Sequence, residues 1–232
     1  MTDSKNKYIL SPSELAELVG KSQAAISKAL KEKQTIPLNG RRVGIPNEVV
    51  REYLSNVGAD FSFRIIAHLN LRGGCSKTSS TINMASRAYQ YGHKVCILDL
   101  DSQASASLAF NATPKDDDSI FLNLWNSPEN LEDALVKIED GFSILPSSLD
   151  NGLLDSSLSK PQDQKFAVAN VCKKLKELGY TLIVIDCSPS LGAAVVSSIA
   201  AADTIVIPVS GDIFSVKGLR LTLDEIKSVS NV

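Results

Sequence analysis

The chain has 232 residues, 44% of them hydrophobic and 22% charged, with 24 Lys and Arg against 26 Asp and Glu for a formal net charge of −2. That balance excludes a disordered polyelectrolyte and fits one large domain with a small appendage. No apolar run approaches the roughly 20 residues needed to cross a bilayer, and Met1-Thr2-Asp3-Ser4-Lys5-Asn6-Lys7 lacks the apolar core of a secretion signal. A cytoplasmic protein with no membrane partner is expected. Cys75, Cys96, Cys172 and Cys187 lack C-x-x-C spacing and three fall in or beside apolar runs, which predicts reduced, mostly buried thiols. Residues 21 to 42 carry Lys21, Lys28, Lys31, Lys33, Arg41 and Arg42 against Glu32 alone. This local basic excess makes nucleic acid a candidate partner.

In chain order, Ser11-Pro12-Ser13-Glu14 reads as a helix start. Ser11 is the N-cap, Pro12 the first helical residue and Glu14 the closing member of a capping box, with Leu10 and Leu15 as a hydrophobic staple. The helix should end near Gly20. Ser22 should then cap a second helix with Ala25, Ile26, Ala29 and Leu30 on its apolar face. Two short helices joined by a tight turn describe a helix-turn-helix. Residues 35–38 and 42–45 flank Asn39-Gly40, a hairpin signal that predicts a two-stranded wing. Asn47 is expected to cap a third helix through Leu54, with Val49, Val50, Tyr53 and Leu54 facing inward. Gln23, Ser27, Lys28 and Lys31 lie on the outward face of the second helix, and Arg41 and Arg42 sit where a wing reaches a DNA backbone. Residues 1–58 thus resemble the winged helix-turn-helix of the larger plasmid-partition ATPases. A small protein-binding module with solvated lysines is the alternative.

Residues 55–60 are small and polar and read as a linker. From residue 62 the apolar runs at 63–67, 95–100, 182–185 and 204–209 alternate with longer helical stretches. The pattern predicts an α/β domain over 62–232, a parallel sheet with crossover helices. Between the first strand and a helix beginning near Lys77 lies Arg72-Gly73-Gly74-Cys75-Ser76-Lys77-Thr78-Ser79. A glycine-bearing loop at a helix N-terminus offers backbone N–H groups to phosphate, with a lysine for the terminal phosphates and a hydroxyl for magnesium.

The loop departs from G-x-x-x-x-G-K-[ST] and is similar instead to the K-G-G-x-G-K-[ST] loop of the ParA and MinD superfamily, with Arg72 for its lysine and Ser76 for its last glycine. Val95 to Ala104 resembles that family's D-x-D-P-Q-G segment, with Ser102 and Ala104 in place of Pro and Gly. Tyr180 to Ser190 resembles its Walker B strand, with Ser188 in place of a proline. Ala202–Val209 followed by Phe214–Leu219 resembles its strand and Gly-Leu helix. Alone, each acid-ending strand also fits a carboxylate that caps the next loop; the three segments in order favour the phosphate site.

The resemblance to ParA-type partition ATPases implies that residues 72 to 79 bind ATP, with Lys77 on the terminal phosphates and Arg72 reaching the partner's nucleotide. It implies Mg2+ held by Thr78 and Asp186 and supported by Asp99, and an attacking water positioned by Asp101. An ATP-dependent homodimer, non-specific DNA binding, nucleoid association, a ParB-like centromere-binding partner and repression of the protein's own operon follow from the same resemblance. The core is expected to be short at its C-terminus. A transcriptional regulator with a degenerate ATPase core is the alternative, motivated by the departures at Arg72, Ser76, Ser102 and Ser188. A metabolic ligase of the same superfamily would leave the basic N-terminal segment without a role. A MinD-like membrane protein is disfavoured because residues 224–232 form no basic amphipathic stretch.

Overall fold

The computed structural model describes residues 8–30, 34–38, 40, 42–211 and 213–230. The expectations placed on Lys31, Asn39 and Arg41 fall outside them. The chain divides into two compact units, Met1–Ser62 with Ser86–Lys94, and Phe63–Ala85 with Val95–Val232. Residues 86–94, which the sequence pattern assigns wholly to the α/β domain, are counted with the first.

In the first unit, α1 (Pro12–Val19) carries the expected capping box. The Ser11 N–H donates to Glu14 Oε2 at 2.9 Å, and Ser11 Oγ accepts from the Glu14 N–H at 3.2 Å. Gly20 ends the helix in the left-handed region, φ 65°. Ser22 caps α2 (Gln23–Ala29) through the Ala25 N–H. The strands β1 (Ile36–Pro37) and β2 (Val43–Gly44) pair antiparallel, and α3 (Asn47–Asn56) follows. Leu10, Leu15, Ile26, Ile45 and Val50 are fully buried, each contributing roughly 1.5–3 kcal/mol of transfer free energy.

Two details correct the sequence reading. Ala25 and Ala29 are exposed, so the inner face of α2 is Ile26 and Leu30. Pro46, not Asn47, is the N-cap of α3. The buried Asn47 amide donates instead to the carbonyls of Tyr89 and His93.

The second unit contains, in order, β3 (Arg64–His68), α4 (Lys77–Gln90, whose last residues belong to the first unit), β4 (Val95–Asp99), α5 (Ser105–Ala109), α6 (Phe121–Leu124), α7 (Leu131–Ala134), β5 (Val136–Glu139) and β6 (Phe142–Leu145). Then come α8 (Leu154–Ser157), α9 (Pro161–Glu177), β7 (Leu182–Asp186), α10 (Ala193–Ala201), β8 (Thr204–Val206) and α11 (Ile213–Ser230). Among the described residues the sheet order is β5-β6-β4-β7-β3-β8. β4 and β7 are buried at every position, as central parallel strands covered on both faces must be.

The purely parallel expectation fails at one edge, where β5 and β6 pair antiparallel across Asp140-Gly141. Gly141 takes φ 77° there, a left-handed conformation that glycine adopts without steric cost. One core packs Leu98, Ile183 and Ile185 against Val168, Val171 and Leu175 of α9 and Val195 of α10. All four cysteines are buried thiols with no disulfide.

Candidate functional site

Parallel strands end together, so the residues that close β3, β4 and β7 stand in one row. His68 pairs with Asp186, and Asp186 with Asp99. Because side chains alternate along a strand, register partners share a face. The loop from β3 to α4 enters at the same edge, the carboxyl ends of the strands, where ligands of open α/β sheets bind.

The entry to this loop is pinned. The Asn70 amide donates to the Pro208 carbonyl at 2.8 Å and its Oδ1 accepts the Arg72 N–H at 3.0 Å. The Leu71 N–H reaches Thr222 Oγ1 at 3.3 Å. Gly218 of α11 lets the loop approach, since a Cβ there would lie 3.2 Å from Asn70 Oδ1 and 3.3 Å from Arg72 Cβ. Gly73 and Gly74 are exposed, Gly74 with φ 76°. Cys75 is buried, while Ser76 and Ser79 are exposed.

Lys77, only 7% exposed, folds back so that Nζ donates to the Arg72 carbonyl at 3.1 Å. The loop therefore encloses its own ammonium, and Ser76 O accepts the first helical bond from the Ser80 N–H at 2.9 Å. Ser76 takes φ 61°, the left-handed conformation that glycine adopts without cost.

Asp186 is fully buried. Its Oδ1 lies 3.4 Å from Thr81 Oγ1, and its Oδ2 has no hydrogen-bond partner. Burial pushes its pKa up to about 7, with Asp99 and Asp101 adding repulsion against the opposing pull of the Thr78 hydroxyl and Lys77. Asp101 is half-buried, and its Oδ1 accepts the Gln103 N–H at 3.0 Å. Asp186 thus feels Lys77, Thr78 and Asp101 together.

Asp99 is held by donors of its own strand end and of α5. Its Oδ2 accepts the Ser107 N–H at 2.8 Å and the Ser107 hydroxyl at 2.7 Å, and its Oδ1 accepts the Asp101 N–H at 3.2 Å. Both oxygens serve the turn into α5. Burial raises the Asp99 pKa to about 6 against those bonds.

Among the described residues, no three His, Cys, Asp or Glu side chains converge on one point as a metal cage. The unpartnered Asp186 Oδ2 beside a threonine hydroxyl suits instead a cation that keeps water and ligand oxygens, which is how magnesium binds.

Sequence reading missed His68, Asn70, Thr222 and the serines around Asp99. Asn70 carried a signal, a polar residue closing an apolar strand; Thr222 and Ser107 carried none, because their partners are distant in sequence. Fully buried His68 has both ring nitrogens unpartnered, and burial lowers its pKa to about 4.

Of the residues expected to meet DNA, Gln23, Ser27, Lys28 and Arg42 are exposed. Gln23 and Arg42 together line a groove of about 480 Å³ with Ser11, Ser13, Leu38 and Val43. No helix among the described residues is long and apolar enough to cross a membrane.

Against known proteins, the profile AAA_31, described as an AAA domain, matches residues 63–232. The chain belongs to the AAA_31 family. Its AAA_31 region is similar to the chromosome-partitioning ATPase Soj of Thermus thermophilus, 31% identical over 171 residues, covering 72% of this chain and 64% of that protein. By structure, it is similar to apo McdA of Cyanothece, with a TM-score of 0.68 at 20% identity over 73% of this chain and 67% of the other. It is also similar to cobyrinic acid a,c-diamide synthase of Mycobacterium smegmatis with bound ADP and magnesium, with a TM-score of 0.67 at 23% identity over 73% and 69%. These structural likenesses give the fold alone, a mostly parallel sheet flanked by helices. The chain spans 52% to 66% of the length of the curated relatives it matches.

Proposed function

We propose that this chain is a DNA-partition ATPase of ParA type that binds ATP with Mg2+, closes into an ATP-dependent homodimer and binds DNA. The observation that carries this reading is Lys77, folded onto the glycine loop at the start of α4, beside a buried Asp186 that feels its charge. Backbone N–H groups of residues 73 to 78 and the α4 dipole would hold the phosphates, and Lys77 would leave the Arg72 carbonyl for a phosphate oxygen. Thr78 and Asp186 would hold magnesium, which when bound neutralises charge on the phosphate oxygens. Asp101 would orient the attacking water, and Arg72 would present its planar fork of donors to the partner subunit's nucleotide.

Residues 1–58 would act as a winged helix-turn-helix, with Gln23, Ser27 and Lys28 toward the groove and Arg42 toward the phosphates. A ParB-like centromere-binding protein would stimulate hydrolysis, and operator binding would repress the operon. The place of action would be the cytoplasm, on the nucleoid.

A second reading, a transcriptional regulator with a degenerate core, draws on the non-glycine residues Ser76 and Ala104 in left-handed conformations, φ 61° and 52°. A salt titration of DNA binding with and without ATP and magnesium, on operator and random DNA, separates the two. ATP-dependent binding to random DNA supports partition; ATP-independent preference for the operator supports the regulator.

A further inference from the structure

The turn that carries Asp101 is tied down by Asp99, Ser107, Ser147 and Asn151, all between 0% and 4% exposed. Their hydrogen bonds have a forced direction. Carboxylates and carbonyls only accept, so the Ser107 hydroxyl donates to Asp99 Oδ2 and the Ser147 hydroxyl to the Asp101 carbonyl, each at 2.7 Å. Each hydroxyl oxygen then receives a donor of its own. The Ser147 N–H reaches Ser107 Oγ at 2.9 Å, and the Asn151 amide reaches Ser147 Oγ at 2.8 Å. Asn151 Oδ1 in turn accepts the Leu122 N–H at 3.3 Å. A buried polar network with all these members partnered specifies one arrangement and is expensive to break.

The turn requires such support. Its last residue, Ala104, sits at φ 52°, ψ 33° as the N-cap of α5 without a side-chain cap bond. Within the turn, Ala104 N–H donates to the Asp101 carbonyl at 2.9 Å and Gln103 N–H to Asp101 Oδ1 at 3.0 Å. Strained backbone of this kind persists where the surroundings over-determine it.

We propose that Ser147 and Asn151 are positioning residues for Asp101, an inference that rests on the hydrolase reading above. The line Asn151 to Ser147 to the Asp101 carbonyl fixes one end of the turn and so the direction of the Asp101 carboxylate. The two residues follow β6 and lie outside the phosphate loop. Their loss therefore acts on turnover rather than on nucleotide affinity.

The test compares Ser147→Ala, Ser147→Thr and Asn151→Leu in the full chain, reading Mg2+-dependent ATP turnover and backbone hydrogen exchange without nucleotide. Ser147→Ala and Asn151→Leu are expected to lower kcat by about tenfold, as misplacement of a reacting group does, with KM for ATP within about twofold. The amides of Gln103 and Ala104 should exchange faster while those of Cys96 to Leu98 stay unchanged, and Ser147→Thr should restore both. Unchanged kcat and exchange in both Ser147→Ala and Asn151→Leu overturns the proposal, as does faster exchange throughout β4. Wild-type protein without turnover, or unchanged turnover in Asp101→Ala, sinks the hydrolase reading instead; the exchange at Gln103 and Ala104 then decides the brace alone.

Discussion

Ser76 offers a perturbation whose sign is unusual. A serine to glycine change at a helix start ordinarily costs stability, because glycine gains more freedom on unfolding. At φ 61°, however, the serine side chain crowds its own backbone, a conformation costing an L-residue roughly 1–2 kcal/mol. Glycine removes that strain and costs roughly 0.5–1 kcal/mol in unfolded-state entropy. Ser76→Gly is therefore expected to stabilise the second unit by about 0.5–1 kcal/mol. Ser76→Ala, which keeps the strain, should change little, and Ser76→Val should destabilise.

Trp125 is the sole tryptophan and belongs to the second unit, half-buried with its indole N–H on Ser157 Oγ at 3.1 Å. Urea unfolding followed by its fluorescence therefore isolates the relevant transition. A midpoint lowered in Ser76→Gly by the equivalent of about 0.5 kcal/mol or more would refute the strain argument.

Ala104→Gly follows the same arithmetic and should raise the same midpoint; a lower one would mean that the turn is relaxed with alanine. His68→Leu removes two unpaired buried nitrogens and should stabilise by about 1–3 kcal/mol at pH 7.5, whereas a loss would reveal a role for the imidazole. Its pH dependence is also signed. With the folded pKa near 4 against 6.5, the unfolded state binds more protons between those values, so the buried histidine destabilises increasingly as pH falls from 6.5 toward 4 and the gain in His68→Leu grows. Asp186 runs the other way: its folded pKa near 7 lies above its unfolded value, so its burial destabilises increasingly as pH rises to 7. Asp186→Asn should thus stabilise more at pH 8 than at pH 5, and an equal gain at both would contradict the burial argument. Asn47→Asp or Ser would be neutral if Asn47 capped α3; because its amide donates to two carbonyls, both changes should lower the thermal midpoint of the first unit.

Local physics explains what the sequence disclosed. The Ser11–Glu14 capping box, the Gly20 stop, the Ser22 cap and the strand–glycine loop–helix order depend on neighbours a few residues apart, and each is present in the structure. What was missed depends on distant partners. Asn47 sits where a cap belongs, but its donors are taken by carbonyls more than forty residues on. Asp99 ends a strand as the sequence pattern implies, but its bond from the Ser107 hydroxyl has no local signal. The hairpin of β5 and β6 was not read from the sequence, because its strands are four residues each and their alternation is weak. Ser76 was legible as a departure from glycine, and the structure adds that the backbone there did not change to suit it.

The central claim is a working phosphate site around Lys77, and isothermal titration of the full chain with ATP and magnesium tests it most directly. Wild type should bind ATP with an affinity that magnesium improves. Lys77→Ala, with its Trp125 unfolding transition intact, should lose that binding by tenfold or more, about 1.4 kcal/mol. Equal affinity in the two proteins, or no ATP binding by a folded wild type, would contradict the account.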